Sequence, residues 1–330
     1  MATTHTATRV IHRTRRPGLS GVPRAHVSEL QRARMTAGLI EAIEADGYAR
    51  VTVATVIGRA RVSRKTFYDL FRDREDCFLA AFDETIVGVR QIAIDSYRQK
   101  PDWRRGTRAA LEQLLLEMDA QPGRTRLCLV EALAAGPRVL ERRAEVFAEL
   151  TGALDAGRGL DKATGRAPTP LTAEALVGAV FSVLHARVQR DCDKSLVELL
   201  DPLMSMIVLP YLGPRAAQHE LRGSTRSSDG SIASAVRPPL EADPLKGLNI
   251  RLTYRTVRVL MAIGEQPGAS NREVAEGSGI VDQGQISKLL NRLAGLGLIE
   301  NRGAGQPNGA ANAWTLTTRG VSVRRGARPR

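Results

Sequence analysis

Four residues at the front of one short segment, Arg64, Lys65, Thr66 and Tyr68, carry the clearest chemistry in the chain. A guanidinium, an ammonium and two hydroxyls offer donors and acceptors suited to phosphate oxygens and to base edges. They can work together only on a helix whose opposite face is anchored, and the flanking residues supply that anchor. Ser63 is placed to cap the helix, and Phe67, Leu70 and Phe71 fall on its inner face. Upstream, Thr52 caps a short helix with Val53, Val56 and Ile57 inward, and Arg61-Val62 makes the turn between the two. A helix that presents cations and hydroxyls in its first turn fits the major groove, and its N-terminal amides favour nearby phosphates.

The run Val62-Ser-Arg-Lys-Thr-Phe-Tyr68 through Phe71, then Asp73-Arg-Glu75, resembles the DNA-binding domain of tetracycline-repressor-like (TetR) regulators, a likeness extending over residues 28–86. That resemblance implies that Thr52, Thr66, Tyr68 and Arg74 touch DNA backbone and that Ser63, Arg64 and Lys65 lie over base edges. Arg61 departs from the family, which commonly has Gly in the turn; a non-Gly residue held left-handed costs roughly 1–2 kcal/mol.

Charge supports a polyanionic partner. Residues 1–75 hold 14 Lys/Arg against 7 Asp/Glu and residues 246–330 hold 13 against 5, whereas 76–245 hold 21 against 23. The net charge of +13 therefore sits at the two ends, where double-stranded DNA is the expected partner. Catalysis has no foothold: HExxH, GxSxG, a Walker loop and paired Cys/His are all missing, so no enzyme, cofactor or metal is expected. Cys77, Cys128 and Cys192 are odd in number and far apart, which suits buried thiols in a reducing cytosol. The longest unbroken apolar stretch, Ala175–Leu184, is short of a membrane span. The N-terminus lacks the apolar core of a secretory signal, and a cytoplasmic location is expected.

The sequence predicts a mainly α chain. Residues 1–27 read as a disordered basic arm, 28–75 as the three-helix helix–turn–helix head, and 76–213 as a helical dimerisation and ligand-sensing domain. Helices in that middle region are punctuated at Pro101, Pro122-Gly123, Gly136-Pro137 and the run 157–170. The apolar segments Leu171–Val188 and Leu196–Leu209 resemble the last two TetR-family helices, which pair across a dimer; Ala175, Gly178, Ala179 and Ser182 share one face and permit close approach. A homodimer is expected. Trp103, Phe147, Phe181 and His185, with Met118 and Cys128, are candidates to line a cavity for an unidentified small-molecule effector, although such stripes also serve as plain core.

Residues 214–245 read as a flexible linker, 246–320 as a second helix–turn–helix with a small β-hairpin, and 321–330 as a basic tail. In that second unit Ser270 caps a short helix. A longer one over about 282–296 buries Ile286, Leu289, Leu290 and Leu293 and turns out Gln285, Ser287 and Lys288. Gly-Gln-Ile-Ser-Lys-Leu-Leu-Asn-Arg-Leu followed by Gly-Leu-Ile-Glu-Asn resembles the winged helix of MarR-like regulators over 250–320. The resemblance implies that Gln285, Ser287 and Lys288 enter a groove while Arg302 in the wing meets backbone or minor groove. The resulting expectation is a ligand-responsive repressor, with a structural DNA-bridging protein lacking an effector as the alternative.

Overall fold

The computed structural model describes residues 24–156, 168–190, 194–223, 253–280, 282–303 and 312–326. Most of the expected arm (1–23), most of the linker (224–245), the glycine-rich wing loop, Cys192 and the last four residues lie outside them. The protein is mainly α, with one small antiparallel sheet among the described residues, and its contacts divide it into two units: Gln31–Lys246, and Gly247–Arg330 with Met1–Leu30. Each is described by itself.

α1 (Arg24–Asp46), which belongs to the first unit from Gln31 onward, ends at Gly47, whose φ of 73° is open to glycine without strain. α2 (Val53–Ala60) and α3 (Arg64–Leu70) follow, each capped as expected: Thr52 Oγ1 accepts from the Thr55 amide at 3.1 Å and Ser63 Oγ from the Thr66 amide at 2.9 Å. Arg61 does sit left-handed between them, at φ 52° and ψ 45°. α4 (Arg74–Arg98), capped by Asp73, carries the chain away from the head. Phe67, Phe71, Phe78 and Phe82 are fully buried with Met35, Leu39 and Ile43, and the same core takes in Leu127 and Val139 from α6 (Pro122–Leu129) and α7 (Pro137–Asp155). Head and body thus share one core across residue 75.

A second core joins α5 (Trp103–Ala120), α8 (Pro170–Gln189) and α9 (Leu200–Gly223) through Leu115, Leu184, Met204 and Tyr211. α9 corrects the expectation that helix ends and linker begins at 214. The chain bends at Gly213 (φ 79°) and resumes helix as far as Gly223. Its continuation has a reason the local sequence conceals: Ala217 is buried, and the buried Glu220 accepts from Arg104 and, at 2.6 Å, from Arg108, both on α5. Arg108 also holds Asp201 at the start of α9. Pro170–Gln189 and Leu196–Arg222 reach mean hydropathies of 1.4 and 1.5 over 18 residues, long and apolar enough to cross a membrane by composition, where unbroken apolar runs had suggested no such stretch. Core helices of helical proteins meet the same criterion, and both supply residues to the second core.

The second unit places α10 (Tyr254–Glu265), α11 (Asn271–Ser278) and α12 (Gln283–Gly295) ahead of strands β1 (Ile299–Asn301) and β2 (Trp314–Leu316). Ile299 pairs with Leu316 and Asn301 with Trp314, and Trp314 bridges further to Ala269. Thr253, Ser270 and Asp282 cap the three helices, Ser270 and Glu273 forming a full capping box. The expected basic tail is corrected here: Thr318–Gly326 is a further helix, α13. Val323 is buried, Arg324 reaches back to the Gly264 carbonyl, and Gly320 lies so close to the hairpin that a Cβ would sit 2.0 Å from the Leu298 carbonyl oxygen.

Candidate DNA-reading helices and an interior cavity

The leading turn of α3 is anchored from behind and open in front. Phe67 is wholly buried, with Phe71 5.6 Å away between ring centroids, and Arg32 stacks over Phe71. On the other side Arg64, Lys65 and Tyr68 are exposed, and none of them makes a hydrogen bond or ion pair among the described residues. Tyr68 has half its surface open, at 51%. An aromatic hydroxyl and two cations left unpaired in one turn leave their donors available to an anion. Thr66 is half-buried, its hydroxyl 2.6 Å from that of Ser63, so both serve the cap first. Thr52 is likewise engaged with Thr55.

Arg74 is committed differently. Its guanidinium lies over the Tyr48 ring at 4.2 Å and donates to the Val51 carbonyl at 2.5 Å, which fixes the turn before α2 to the start of α4. Burial pushes the Tyr48 phenol above its ordinary value even though Arg74 pulls the other way. Arg50 and the left-handed Arg61 are two further exposed cations beside the head that spacing alone did not single out. Neither has a partner among the described residues.

The C-terminal unit uses its corresponding side chains internally. Gln285 accepts from Arg255 at 2.8 Å. Ser287 accepts from Asn271, whose carbonyl oxygen receives Trp314 Nε1 at 2.6 Å and Asn312 at 3.0 Å. Arg302 is paired with Glu300 at 2.9 Å, and that pairing holds Glu300 below the usual carboxylate range. Lys288 alone of the four is exposed without a partner among the described residues.

The body of the first unit holds a partly open cavity of about 730 Å³ lined by α4 to α9. Phe147 and Phe181 line it with their rings 4.1 Å apart, as do Met118 and Cys128. Trp103 and His185 do not: Trp103 packs on Tyr211 at 5.0 Å in the second core, and His185 Nδ1 is 2.8 Å from the Leu129 carbonyl. Sequence reasoning missed Arg143, which also lines the cavity, stacked 4.3 Å over Phe147 and 5.8 Å from Phe181. Its Nε is buried without a hydrogen bond, and burial depresses its pKa. The only hint was the i, i+4 spacing of Arg143 and Phe147 on one helix face. Burial also pushes the Cys77 and Cys128 thiols up to about 12, leaving them protonated and unreactive near neutrality. Among the described residues no cluster of His, Cys, Asp or Glu could hold a metal ion.

Head and cavity are joined by a short polar chain. Thr36 on α1 donates to Glu84 at 3.0 Å, and Glu84 accepts from Arg124 at 3.0 Å. Arg124 also donates to Thr85 at 3.0 Å and forms part of the cavity wall. A second tie runs from α7, where Arg138 embraces the cap residue Asp73 at 2.7 and 2.8 Å and also meets Glu75. Gly136 sits beside it at φ 138°, where a Cβ would collide with the Glu75 carboxylate.

A capped helix–turn–helix with a free leading turn, set on a helical body, is an arrangement suited to duplex DNA. Residues 36–81 match the family model described as bacterial regulatory proteins, tetR family, so the N-terminal head is a helix–turn–helix domain of that family. Among curated proteins no relative matches. Three solved structures are similar. The fatty acid degradation regulator FadR from Bacillus halodurans has TM-score 0.49 and 17% identity, covering 54% of this chain and 94% of its own. The regulator FadR from Bacillus subtilis, solved in complex with stearoyl-CoA, gives 0.47 and 16%, covering 53% and 96%. A TetR family transcription regulator from Marinobacter aquaeolei VT8 gives 0.45 and 21%, covering 56% and 96%.

Proposed function

We propose that the protein is a cytoplasmic, ligand-responsive transcriptional repressor that binds duplex DNA as a homodimer through α3. The observation that carries this reading is the leading turn of α3, where Arg64, Lys65 and Tyr68 are exposed and unpaired on a helix locked from behind by Phe67. Ser63 and Thr66 support that turn through the cap, with Thr66 and Thr52 in reach of backbone phosphates. The cavity favours an effector over a purely architectural role: an architectural protein has no need of a 730 Å³ cleft, lined mostly by apolar residues, beside the chain Thr36–Glu84–Arg124. An occupant that shifts α6 relative to α4 moves α1, and with it the angle at which the head is offered.

The dimer reading rests on α8 and α9. Ala175, Gly178 and Ser182 are exposed on α8 together with Leu171 and Val183, and no atom lies within 4 Å of the Cβ position of Gly178. On α9, Pro202 and Leu209 are exposed at helical spacing, with Met206 and Leu212 half-buried on the same side. A face this apolar, with Glu174 the exposed charge between Leu171 and Gly178 on α8, fits a second copy of itself, and two heads are what a two-fold half-site needs. The C-terminal unit is read as a winged helix that contributes through Lys288 and its net positive charge, not through base-specific contacts.

Genome-wide footprinting of the intact chain beside the Lys65→Ala/Tyr68→Ala double variant tests the central reading. Loss of discrete sites in the variant supports it; the same sites at the same occupancy would reject it. Leu209→Glu is expected to shift the particle from dimer to monomer in sedimentation.

A further inference from the structure

The chain builds one turn twice and fills it differently. α2 ends at Arg61 and α11 at Gly279, both left-handed: φ 52° and ψ 45° for the arginine, φ 63° and ψ 31° for the glycine. The two turns close alike. The Val62 amide donates to the Ile57 carbonyl at 3.2 Å, and the Ile280 amide to the Ala275 carbonyl at 3.0 Å, the same step back along each helix. A left-handed residue is therefore required at this point, and glycine supplies it with no Cβ to crowd the carbonyl that follows. Among the described residues Arg61 is the one non-glycine at positive φ. Strain of that kind persists where some other contact offsets it.

No contact among the described residues does so. Arg61 is exposed and has no partner there. Other cations of the head are engaged: Arg59 reaches Asp46 at 3.9 Å, Arg72 reaches Asp76 at 3.5 Å, and Arg74 is held by Tyr48 and the Val51 carbonyl. The surroundings of the two turns differ as well. A Cβ on Gly279 would lie 2.5 Å from Arg258 Nη2, so that turn has no room for a side chain. Arg61 instead follows Ala54 and Gly58 at helical spacing, all three exposed, and nothing lies within 4 Å of the Cβ position of Gly58. Small residues leave that side of α2 open to a bulky neighbour, and Arg61 places a cation at its end. Three residues separate Arg61 from Arg64, which keeps their Cα atoms within about 11 Å. A leading turn seated in a groove about 12 Å wide has a phosphate strand on either side, within reach of a cation that near.

We propose that Arg61 anchors the head to DNA backbone: its guanidinium binds a phosphate at the edge of the groove that α3 enters, and that contact offsets the strain of the turn. This step rests on the reading of α3 as the helix that reads sequence. A phosphate contact carries no base information, so Arg61 sets how tightly the head is held while Arg64, Lys65 and Tyr68 set where.

Thermal melts and fluorescence anisotropy on the full chain test the assignment, with a mixed-sequence duplex and a site recovered by footprinting as probes over a salt series. Arg61→Gly should melt about 1–4 °C above wild type, because relief of the strain exceeds the freedom glycine adds to the unfolded chain. It should nevertheless bind both duplexes about five- to tenfold more weakly at about 0.1 M salt, the weight of one phosphate contact. The slope of log affinity against log salt should fall by about 0.9, with the preference for the recovered site unchanged. Arg61→Asn, uncharged but tolerant of the left-handed region, should lose affinity equally, and Arg61→Lys should keep most of it. A residue that served the turn alone would not raise stability and lower affinity together. Full affinity and an unchanged slope in both Arg61→Gly and Arg61→Asn overturn the proposal. So does a lower melt with weaker binding in Arg61→Gly, since damage to the fold explains both. The Lys65→Ala/Tyr68→Ala variant separates the two readings. If it loses the recovered site while the Arg61 variants bind as wild type, the anchor is refuted and α3 still reads sequence. If it keeps the site while the Arg61 variants weaken on both duplexes, the phosphate contact stands and the reading of α3 falls.

Discussion

α3 and α12 are built alike and left in different states. Each starts at a capping side chain, Ser63 or Asp282, and each is pinned by buried apolar residues, Phe67 in one and Ile286, Leu290 and Leu293 in the other. Their outward faces differ. Arg64, Lys65 and Tyr68 make no polar contact among the described residues, whereas Gln285 is held by Arg255 and Ser287 by the Asn271 network that clasps the hairpin. A polar group at the front of a helix is available to a base edge only if the fold has not already used it, because breaking an internal hydrogen bond removes most of what a new one gains. The leading turn of α3 keeps its Arg64, Lys65 and Tyr68 donors unused among the described residues, whereas on α12 Gln285 is bonded to Arg255 of α10 and Ser287 to the Asn271 network, and Lys288 stays unpaired.

The largest effects should come from removing the anchors. Phe67→Ala is expected to cost about 3–5 kcal/mol and Leu290→Ala about 2–5 kcal/mol in the unit that contains each. If only α3 reads sequence, Phe67→Ala abolishes operator binding in gel shifts while Leu290→Ala, equally disruptive where it sits, leaves specific binding in place. Loss of specificity in Leu290→Ala would put the two helices on an equal footing.

Next come the free side chains. Lys65→Ala and Tyr68→Ala should each weaken operator binding by about 1–3 kcal/mol. Gln285→Ala, which removes a group already bonded to Arg255, should change affinity by less than about 0.5 kcal/mol. Lys288→Ala should act on all sequences alike, lowering the slope of log affinity against log salt by about one. Fluorescence anisotropy over a salt series checks all four variants, and a Gln285→Ala effect as large as that of Tyr68→Ala would erase the distinction drawn between the helices.

Arg74 offers a smaller and differently signed comparison. Family resemblance puts it on DNA backbone, yet its guanidinium is occupied by Tyr48 and the Val51 carbonyl. Arg74→Ala should therefore destabilise the head by about 1–2 kcal/mol in thermal melts, from the lost hydrogen bond and ring contact. Affinity measured well below the melting temperature should change little. A large loss of affinity with an unchanged melt would return Arg74 to the DNA.

How much of this was legible in the sequence depends on how local the cause is. The caps at Thr52, Ser63 and Ser270 are decided within a few residues and could be read from spacing, and the left-handed Arg61 from the Gly that related sequences commonly place in that turn. The helix beyond Gly213-Pro214 could not, because Glu220 is held by Arg104 and Arg108 more than a hundred positions away. α13 was hidden by its arginines. Val323 supplies its inner face, and Gly320 matters for an approach to Leu298 that no local pattern announces. Phe147 and Phe181 could be chosen as candidates for the cavity wall, but aromatic character could not separate them from Trp103, which faces Tyr211. Arg143 escaped because a cation on an amphipathic helix reads as solvated until the helix is packed.

The smallest expected difference between the units appears in acid. Burial pushes the Asp73 carboxyl up, but the Asp76 amide and the Arg138 guanidinium outweigh it and hold the group below the usual carboxylate range. The Ser270 amide and hydroxyl do the same for Glu273 in the capping box. A carboxyl whose folded value lies below its unfolded value, about 3.9 for Asp and 4.3 for Glu, stabilises the fold above that pH and ceases to do so as pH falls through the folded value. Both units should thus loosen as pH drops below about 4, by separable routes. Asp73→Asn should flatten the acid response of α4 amides in hydrogen exchange and leave α11 unaffected, and Glu273→Gln should do the reverse. Asp73 should matter more, since the Arg138 guanidinium binds it through both oxygens while Glu273 has only the neutral donors of Ser270 and Gln266. Identical acid limbs in wild type and Glu273→Gln would reduce the second cap to geometry without electrostatic weight.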